Sequence, residues 1–326
     1  MEFPADPLTS SWWPYIIALV VGVVTWIRSY MGGPDCPNSQ RIDGKRVIVT
    51  GSSSGIGFEV ALELAKRGGH LILACRDETA AESAANDIKK RVRNSSVTVK
   101  LLNLSSLKSV LEFAETLEWD RLDILVNNAG LAFYPFEKTE DGFEMHLASN
   151  YLGHFLLTHL MLPKLKAAPN GRIINVSSQA HVVSEINMFD LNRESNYTPR
   201  EAFGQSKLAL VLMTCELARR LKDTSVTINA LNPGIVRSTK HMRRSPLSSS
   251  LMIKVAMYPW MWLLMKTPSQ AAQTYIYLAV APELTNVSGK YFCDCQVTEL
   301  SNNAKDEKMA TDLYIKSCEL VHTDPI

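Results

Sequence analysis

The chain of 326 residues is 46% hydrophobic and 21% charged, which supports a sizeable core and excludes wholesale disorder. Its 34 Lys and Arg residues nearly balance its 33 Asp and Glu residues. The sequence has no basic block and no basic stripe interleaved with aromatic residues, so nucleic-acid binding is not expected. Length alone allows one large α/β domain or two small ones.

The cysteines and histidines show no metal-binding pattern. Six cysteines are scattered along the chain, and among them only Cys293 and Cys295 are close in sequence. This pair has neither a second pair nor a nearby histidine, so we predict no metal site and expect free thiols in a reducing compartment. We interpret His154, His159 and His181 as packing or surface residues.

The N-terminal segment is a separate hydrophobic element. Residues 12–27 carry no charge and have Trp or Tyr at both ends, although the run is slightly shorter than the roughly 20 residues that span a bilayer. A cleaved signal peptide and a buried core helix are the alternatives, but the first lacks a basic n-region and the second lacks a polar face. We predict a membrane anchor in residues 1–30 and a linker in residues 31–42.

Charges on either side of this run indicate an orientation. Glu2 and Asp6 precede it, whereas Arg28, Arg41 and further basic residues follow it. Because positive charge collects on the cytosolic side of membranes, we expect the body of the protein to face the cytosol.

A strand, a glycine-rich turn and an amphipathic helix are predicted after the linker. Residues 45–50 form a short β-branched run, and the next residues place Gly51, Gly55 and Gly57 in a G-x-x-x-G-x-G pattern. Such a turn allows close approach of a pyrophosphate to the helix N-terminus. The predicted cofactor contacts in this turn are Gly51, Ser53, Ser54, Gly55, Ile56 and Gly57.

The end of the second predicted strand indicates which nicotinamide cofactor binds. An acidic residue at this point would hold the ribose 2′-hydroxyl of NAD, but the chain has Arg76, whose guanidinium suits a 2′-phosphate. NADP(H) is therefore preferred. NAD(H) remains open because Asp77 follows immediately, and an ordinary surface arginine is the alternative interpretation.

Three motifs together resemble the short-chain dehydrogenase/reductase family over about residues 43–300. They are T-G-S-S-S-G-I-G at residues 50–57, N-N-A-G at residues 127–130 and the Pro233-Gly234 pair. The resemblance implies a Rossmann-type α/β fold with a doubly wound parallel sheet of about seven strands. It also implies a single domain over residues 43–326.

Further motifs resemble the retinol dehydrogenase branch of that family: A-C-R-D at residues 74–77, N-Y-L-G-H-F-L-L-T at residues 150–158 and N-V-S-S-Q-A-H at residues 175–181. The chain is also similar to the X-linked family member that acts on polyprenols. The resemblance implies a hydrophobic substrate and a membrane location, with the endoplasmic reticulum expected and a mitochondrial membrane as the alternative. Dimers are usual in the family, and an anchored monomer stays open.

The resemblance assigns more cofactor contacts: Asn127 and Ala129 beside the adenosine, and Pro233, Ile235 and Thr239 beside the nicotinamide. At the end of the third strand the family usually has Asp-Leu, whereas this chain has Asn103 and Leu104. Asparagine still offers a carbonyl acceptor, so we expect cofactor binding to change little.

The catalytic positions carry one departure from the family pattern. Lys207 matches the family lysine, Ser178 the serine, and Asn150 the asparagine that orders a proton-relay water, but Phe203 stands where the family has tyrosine. A phenol supplies the proton that a newly formed alkoxide needs, and its pKa is lowered by a nearby ammonium. Phenylalanine cannot do this, so about two to four orders of magnitude in rate should be lost.

Three explanations of Phe203 stay open. The chain is an engineered variant of an active enzyme, a natural member that has lost or rerouted its chemistry, or a member in which His181 or Tyr197 substitutes. The predicted function is NADP(H)-dependent interconversion of a hydrophobic alcohol (retinoid, polyprenoid or other lipid) and its aldehyde or ketone. The alternative is a catalytically inactive, cofactor-binding membrane protein with a sensing or scaffolding role.

A variable substrate loop is expected at about residues 237–266. Its part from Ser248 to Lys266 is rich in Met, Trp and Leu. This composition indicates a second membrane-contacting element, the lid of an apolar substrate tunnel, or a plain core helix.

Overall fold

The computed structural model describes residues 12–237 and 251–326, so Thr239 and the first part of the predicted substrate loop lie outside the described residues. The helices are α1 (Trp13–Gly32), α2 (Gly55–Lys66), α3 (Glu78–Arg91), α4 (Leu107–Glu115), α5 (Gly153–Lys166), α6 (Pro199–Arg220), α7 (Leu251–Leu264), α8 (Pro268–Val280) and α9 (Glu307–Val321). The strands are β1 (Arg46–Thr50), β2 (His70–Cys75), β3 (Ser96–Leu101), β4 (Ile124–Asn127), β5 (Arg172–Val176), β6 (Thr227–Asn232), β7 (Tyr291–Cys293) and β8 (Gln296–Thr298).

These strands form one sheet in the order β3-β2-β1-β4-β5-β6-β7-β8. The first seven in this order are parallel, which confirms the predicted Rossmann-type sheet, and β8 pairs antiparallel with β7. A tight turn joins the last two strands, with Asp294 and Cys295 both at positive φ. Strand β8 was not predicted from the sequence, because its three residues carry no usable periodicity.

Helices cover both faces of the sheet, so its central strands are buried and uniformly apolar. One core lies under α2, α3 and α8, and a second core lies under α4, α5, α6 and α9. The strand order reverses between β1 and β4. In sheets of this kind, ligands bind in the crevice outside the carboxyl ends of the strands at this switch point.

Helix α1 is the candidate membrane anchor. It contains 20 residues, its most apolar window has a mean hydropathy of 1.5, and only 6% of that window is buried. By length and composition it is the one helix in the described part of the chain that could cross a membrane. Its last turn is attached to the domain, because Arg28 donates hydrogen bonds to the Met265 carbonyl at 2.8 Å and to Gln270 Oε1 at 2.9 Å.

The predicted linker runs against the domain. Cys36 donates its N–H to Gln273 Oε1 at 3.0 Å, and the Arg67 guanidinium donates to the carbonyls of Asn38 and Gln40. Ile42, at its end, belongs to the core beneath α2. This segment therefore connects α1 to β1 along a defined path.

The start of α5 packs closely against the loop that follows β3, on the cofactor side of the sheet. A Cβ on Gly153 would overlap the Leu104 carbonyl oxygen and lie 2.9 Å from the Leu104 Cβ. We expect Gly153→Ala to lower the free energy of unfolding by about 1–3 kcal/mol, because a backbone must move. Chemical denaturation of the purified protein measures this. Gly22→Ala is the matched control, since that helical glycine has nothing within 4 Å, and equal losses in both variants would contradict the prediction.

Candidate functional site

The glycine turn after β1 brings backbone close to backbone. Gly51 and Gly55 have φ of 65° and 63°, a region that disfavours other residues. A Cβ on Gly51 would lie 2.8 Å from the Ala129 Cα, and one on Gly57 would lie 2.7 Å from the Gly51 oxygen. Helix α2 begins at Gly55, so its unpaired N–H groups face the carboxyl end of the sheet. This cradle fits a pyrophosphate.

A buried hydroxyl at the end of β1 connects the glycine turn to the loop after β4 and to helix α5. Thr50 Oγ1 accepts from the N–H groups of Asn128 and Ala129 at 2.9 Å each, and it lies 2.9 Å from His154 Nε2. His154 Nδ1 lies 3.0 Å from the Asn150 carbonyl, which can only accept, so the imidazole donates there and Nε2 accepts from Thr50. Burial lowers the pKa of His154 to about 4 and keeps it neutral.

A groove of about 700 Å³ runs along the carboxyl ends of the strands. It gathers most of the predicted site residues: Gly51, Ser53, Ser54, Gly55, Ile56, Gly57, Arg76, Asn103, Leu104, Ala129, Ser178, Phe203, Lys207, Pro233 and Ile235. These positions span more than 180 residues of sequence, so the fold brings the predicted cofactor and catalytic positions into one continuous site.

Two predicted residues do not line the groove. The Asn127 side chain is buried and donates to Thr158 Oγ1 at 2.9 Å and to Asn175 Oδ1 at 2.8 Å. Its expected place beside the adenosine is corrected to a place in the core, and Asn128 lines the groove instead. The sequence pattern could not separate the two adjacent asparagines, because the turn after β4 decides which one faces outward.

Asn150 is the second residue that the structure places behind the groove. It lies in a π-helical stretch, Leu147–Leu152, that leads into α5. Its side chain accepts from the Leu131 N–H at 2.9 Å and donates to the Leu131 carbonyl and to Ser206 Oγ. In this geometry the amide holds the wall of the groove through Leu131.

At the far end of the groove from α6, Arg76 is exposed at the end of β2. The neighbouring carboxylate of Asp77 accepts from the Ala80 N–H at 2.9 Å and caps α3. Asn103 Oδ1 accepts from the N–H and hydroxyl of Ser105, so the asparagine carbonyl shapes its own loop. Arg76 is the cationic side chain that these strand ends present to a ligand.

The catalytic end centres on a buried lysine. Lys207 Nζ donates to the Val176 carbonyl at 2.8 Å and lies 5.8 Å from the centroid of the Phe203 ring. Burial lowers the pKa of Lys207 to about 7. Ser178 lies beside them at the start of a short 3-10 helix, where its hydroxyl accepts from the Ala180 N–H at 3.3 Å.

The Phe203 ring is half-buried and faces the groove among other rings. It stacks on Phe133 at a centroid distance of 6.4 Å and meets the His146 ring edge-on at 6.2 Å. The ring occupies the position of the expected phenol on the same helix face as Lys207, one turn away. The site therefore has the aromatic surface of the expected tyrosine without its hydroxyl.

Neither proposed substitute for the missing hydroxyl lines the groove. Tyr197 donates to the Tyr134 carbonyl at 2.6 Å, and burial together with Glu144 raises its pKa. His181 is buried, with Nδ1 2.8 Å from the Ser178 carbonyl and its ring against Tyr291. The geometry favours neither residue as a proton donor to a substrate in the groove.

A buried acid–histidine pair, missed in the sequence, positions the wall beside Phe203. Glu144 Oε1 lies 2.6 Å from His146 Nδ1, and His146 Nε2 accepts from the Tyr134 N–H at 3.3 Å. The Tyr197 hydroxyl lies 3.2 Å from the same Glu144 oxygen. The short E-M-H spacing was the available signal, but the partners that give it meaning are as much as 53 residues away.

Residues 12–237 and 251–326 contain no cluster of three or more His, Cys, Asp or Glu side chains that could hold a metal ion. The six cysteines are free thiols. His154 and His159 are buried and hydrogen-bonded, as the packing interpretation expected.

The fold and the groove define a dinucleotide-dependent oxidoreductase scaffold, and comparisons with known proteins identify its family. The family model described as short chain dehydrogenase matches residues 45–248. Retinol dehydrogenase 13 of Mus musculus is 48% identical over 94% of this chain and 92% of its own length. Retinol dehydrogenase 12 of Homo sapiens is 44% identical over 90% of this chain and 92% of its own length. The chain belongs to the short-chain dehydrogenase family.

Solved structures agree with this assignment. An uncharacterized protein from Mycobacterium paratuberculosis is 33% identical, with a TM-score of 0.73 over 90% of this chain and all of that chain. A short chain dehydrogenase from Shigella flexneri, complexed with NADP, has a TM-score of 0.61 at 23% identity over 79% of this chain and all of that chain. The second likeness shows the shared fold.

The lowered pKa of Lys207 has a consequence for stability. Between about pH 7 and its ordinary value of 10.5, the unfolded chain holds this proton and the folded chain does not. The free energy of unfolding should therefore rise with pH in this window, by up to about 1.4 kcal/mol per unit from this group, and the contribution should be constant below it. Urea unfolding of the wild type and of Lys207→Met at several pH values measures the difference, and a difference that falls with rising pH would contradict the assignment.

Proposed function

We propose that this protein is an NADP(H)-dependent oxidoreductase that interconverts a hydrophobic alcohol and its aldehyde or ketone, with proton transfer impaired at Phe203. The observation that carries this proposal is the single groove in which the glycine turn, Arg76, Ser178 and Lys207 meet. The names of the relatives, retinol dehydrogenases 12 and 13, support a retinoid or another lipid as the substrate class.

The choice of NADP(H) over NAD(H) rests on the end of β2. Arg76 is exposed there and suits a 2′-phosphate, while the Asp77 carboxylate accepts the N–H of Ala80 as the cap of α3. A ribose hydroxyl would compete with that cap for Asp77. The NADP complex of the structurally similar Shigella flexneri dehydrogenase agrees with this choice.

The proposed roles follow from the positions of the side chains. The bound nicotinamide would supply or accept the hydride. The N-terminus of α2 and the glycine turn would hold the pyrophosphate, and the Ser178 hydroxyl would donate to the substrate oxygen at the other end of the groove. Lys207 would supply positive charge, but its Nζ points to the Val176 carbonyl and Phe203 offers no oxygen to relay a proton. Substrate positioning would remain while proton delivery is weakened.

A second candidate function follows from Phe203 itself. A protein that binds NADP(H) and a hydrophobic ligand without turnover needs the groove but not the phenol, and could act as a membrane-bound sensor or scaffold. The buried Lys207 favours the enzyme. Lys207 forms no ion pair with a carboxylate of residues 12–237 or 251–326, and burying an ammonium group without such a partner opposes folding. A chain without chemistry would therefore gain no stability from Lys207.

The cellular setting is also part of the proposal. We infer that α1 anchors the chain in a membrane with the domain on the cytosolic side, because acidic residues precede the helix and basic residues follow it. The endoplasmic reticulum is the expected membrane, with a mitochondrial membrane as the alternative.

Restoring the hydroxyl tests the enzymatic function. We expect Phe203→Tyr to raise the turnover of NADPH with all-trans-retinal by about 10²–10⁴-fold, because the phenol would lie on the same helix face as Lys207. The measurement is NADPH oxidation by full-length protein in detergent. The double variant Phe203→Tyr, Lys207→Met should lose the gain, whereas Phe203→Tyr, Tyr197→Phe should keep it.

The same comparison separates the two functions. If Phe203→Tyr binds NADPH and retinal but turns over neither retinal nor a polyprenal, the enzymatic proposal fails for these substrates. The binding-protein function then takes its place.

The cofactor preference is tested at Arg76. We expect Arg76→Ala to weaken NADPH binding about 10–100-fold, the loss of one or two charge-assisted hydrogen bonds, and to leave NADH binding nearly unchanged. Fluorescence titration of full-length protein gives both dissociation constants. Arg91→Ala is a matched control, since Arg91 lies on α3 and pairs with Asp87 outside the groove. Equal losses for both cofactors would show that Arg76 does not contact the 2′-phosphate.

A further inference from the structure

Helix α7 presents an apolar face that the domain does not cover. Its described side chains, from Met257 to Leu264, carry no charge. The α7 face comprises Met257, Tyr258, Trp260, Trp262 and Leu264, all of which are exposed, with Tyr258 at 63% and Trp260 at 59%. Large contiguous apolar surfaces of this kind mark sites of contact with a membrane or a partner. This helix is therefore not the plain core helix that the sequence allowed.

The α7 face is continuous with the candidate membrane anchor. Helices α1 and α7 pack against each other, and the Arg28 guanidinium lies 5.8 Å from the centroid of the Trp262 ring. The same guanidinium donates to the Met265 carbonyl just beyond α7 and to Gln270 at the start of α8. These contacts hold the two helices together, so the surface that meets the membrane around the end of α1 includes the α7 face.

A cavity of about 570 Å³ lies between the ends of these two helices. Tyr30 and Met31 of α1 line one side, and Leu264 of α7 lines another. Gly234 and Ile235 line this cavity and also the cofactor groove, so both spaces border the loop after β6. A ligand between α1 and α7 would thus be next to the predicted nicotinamide end of the groove.

The loop after β6, which borders both spaces, lies against a lysine whose charge is balanced by a carboxylate. Lys266 forms an ion pair with Asp294 and its side-chain carbons lie against Gly234, where a Cβ would be 3.2 Å from the Lys266 Cε. Lys266 also bonds the loop itself, because its N–H donates to the Ile235 carbonyl at 2.9 Å. An apolar chain passing this loop meets methylene groups and a compensated ion pair.

We propose that α7 lies in the membrane interface beside α1, and that the cavity between them is the passage by which a bilayer-dissolved substrate reaches the groove. With 14 residues, α7 is about 21 Å long, too short to span a bilayer and suited to an interfacial position. Tyr and Trp are the side chains that favour this depth. The passage rests on the proposed function for its substrate, whereas the position of α7 does not.

The position of α7 is tested by photocrosslinking. Full-length protein in phosphatidylcholine liposomes carries benzoylphenylalanine at Tyr258, at Leu19 of α1 as the membrane reference, or at the fully exposed Phe189 as the control. We expect lipid adducts at Tyr258 and Leu19 and none at Phe189. Adducts at Leu19 alone, or a crosslink from Tyr258 to a second copy of the chain, would overturn the membrane position of α7. No turnover is needed, so this result is independent of the enzymatic proposal.

The passage is tested with tritiated all-trans-retinal in the same liposomes. Benzoylphenylalanine at Leu264 should label in a saturable way that excess unlabelled retinal suppresses at least about tenfold, because a cavity holds a limited number of ligands. At Leu19 the labelling should rise in proportion to the retinal in the bilayer. Unsaturable labelling at Leu264, or none, would overturn the passage. If Phe203→Tyr turns over retinal but Leu264 shows no saturable labelling, the enzymatic function stands and the proposed passage fails.

Discussion

The hydrogen bonds of one buried hydroxyl, that of Thr50, hold the site in shape. Thr50 closes β1, accepts the N–H groups that follow β4, and meets the neutral His154 of α5. The loop after β4 and helix α5 are thereby hydrogen-bonded to one atom at the start of the glycine turn. Because Thr50 and His154 are both fully buried, the loss of the bond between them would leave polar groups unsatisfied away from water.

At the α6 end of the groove, Phe203 provides the ring contacts that the expected tyrosine would make. Its ring packs on Phe133 and meets His146, whose orientation depends on Glu144 and on the Tyr134 N–H. Ring packing and hydrogen bonds therefore shape the groove at this end. A hydroxyl on the Phe203 ring would leave both in place. Phenylalanine offers no oxygen at this position, and the buried Lys207 donates to the Val176 carbonyl.

The two apolar helices pack against each other, and their ends border the cavity beside the loop after β6. Helix α1 ends on the domain through Arg28, and α7 begins after the loop that borders the nicotinamide end. An oxidoreductase of water-soluble carbonyls would gain nothing from exposing Tyr258 and Trp260 on a helix that packs against α1. The arrangement suits a compound that is concentrated in the bilayer and scarce in water.

Patterns in the sequence determined much of this protein. The glycine turn, the strand-end Arg76, the spacing of Phe203 and Lys207 on one helix face, and the apolar α1 each depend on residues within a few positions of one another, so local backbone geometry specifies them. The Rossmann-type fold was predicted from three motifs in the order of a known family. The tertiary structure decided the rest. The Asn127 side chain lies in the core, the Asn128 side chain lines the groove, and Asn150 lies behind the groove wall. Glu144, His146 and Tyr197 form one hydrogen-bonded cluster. Strand β8 pairs with β7, and α1 packs against α7. These outcomes depend on contacts between residues far apart in the chain, which no local pattern encodes.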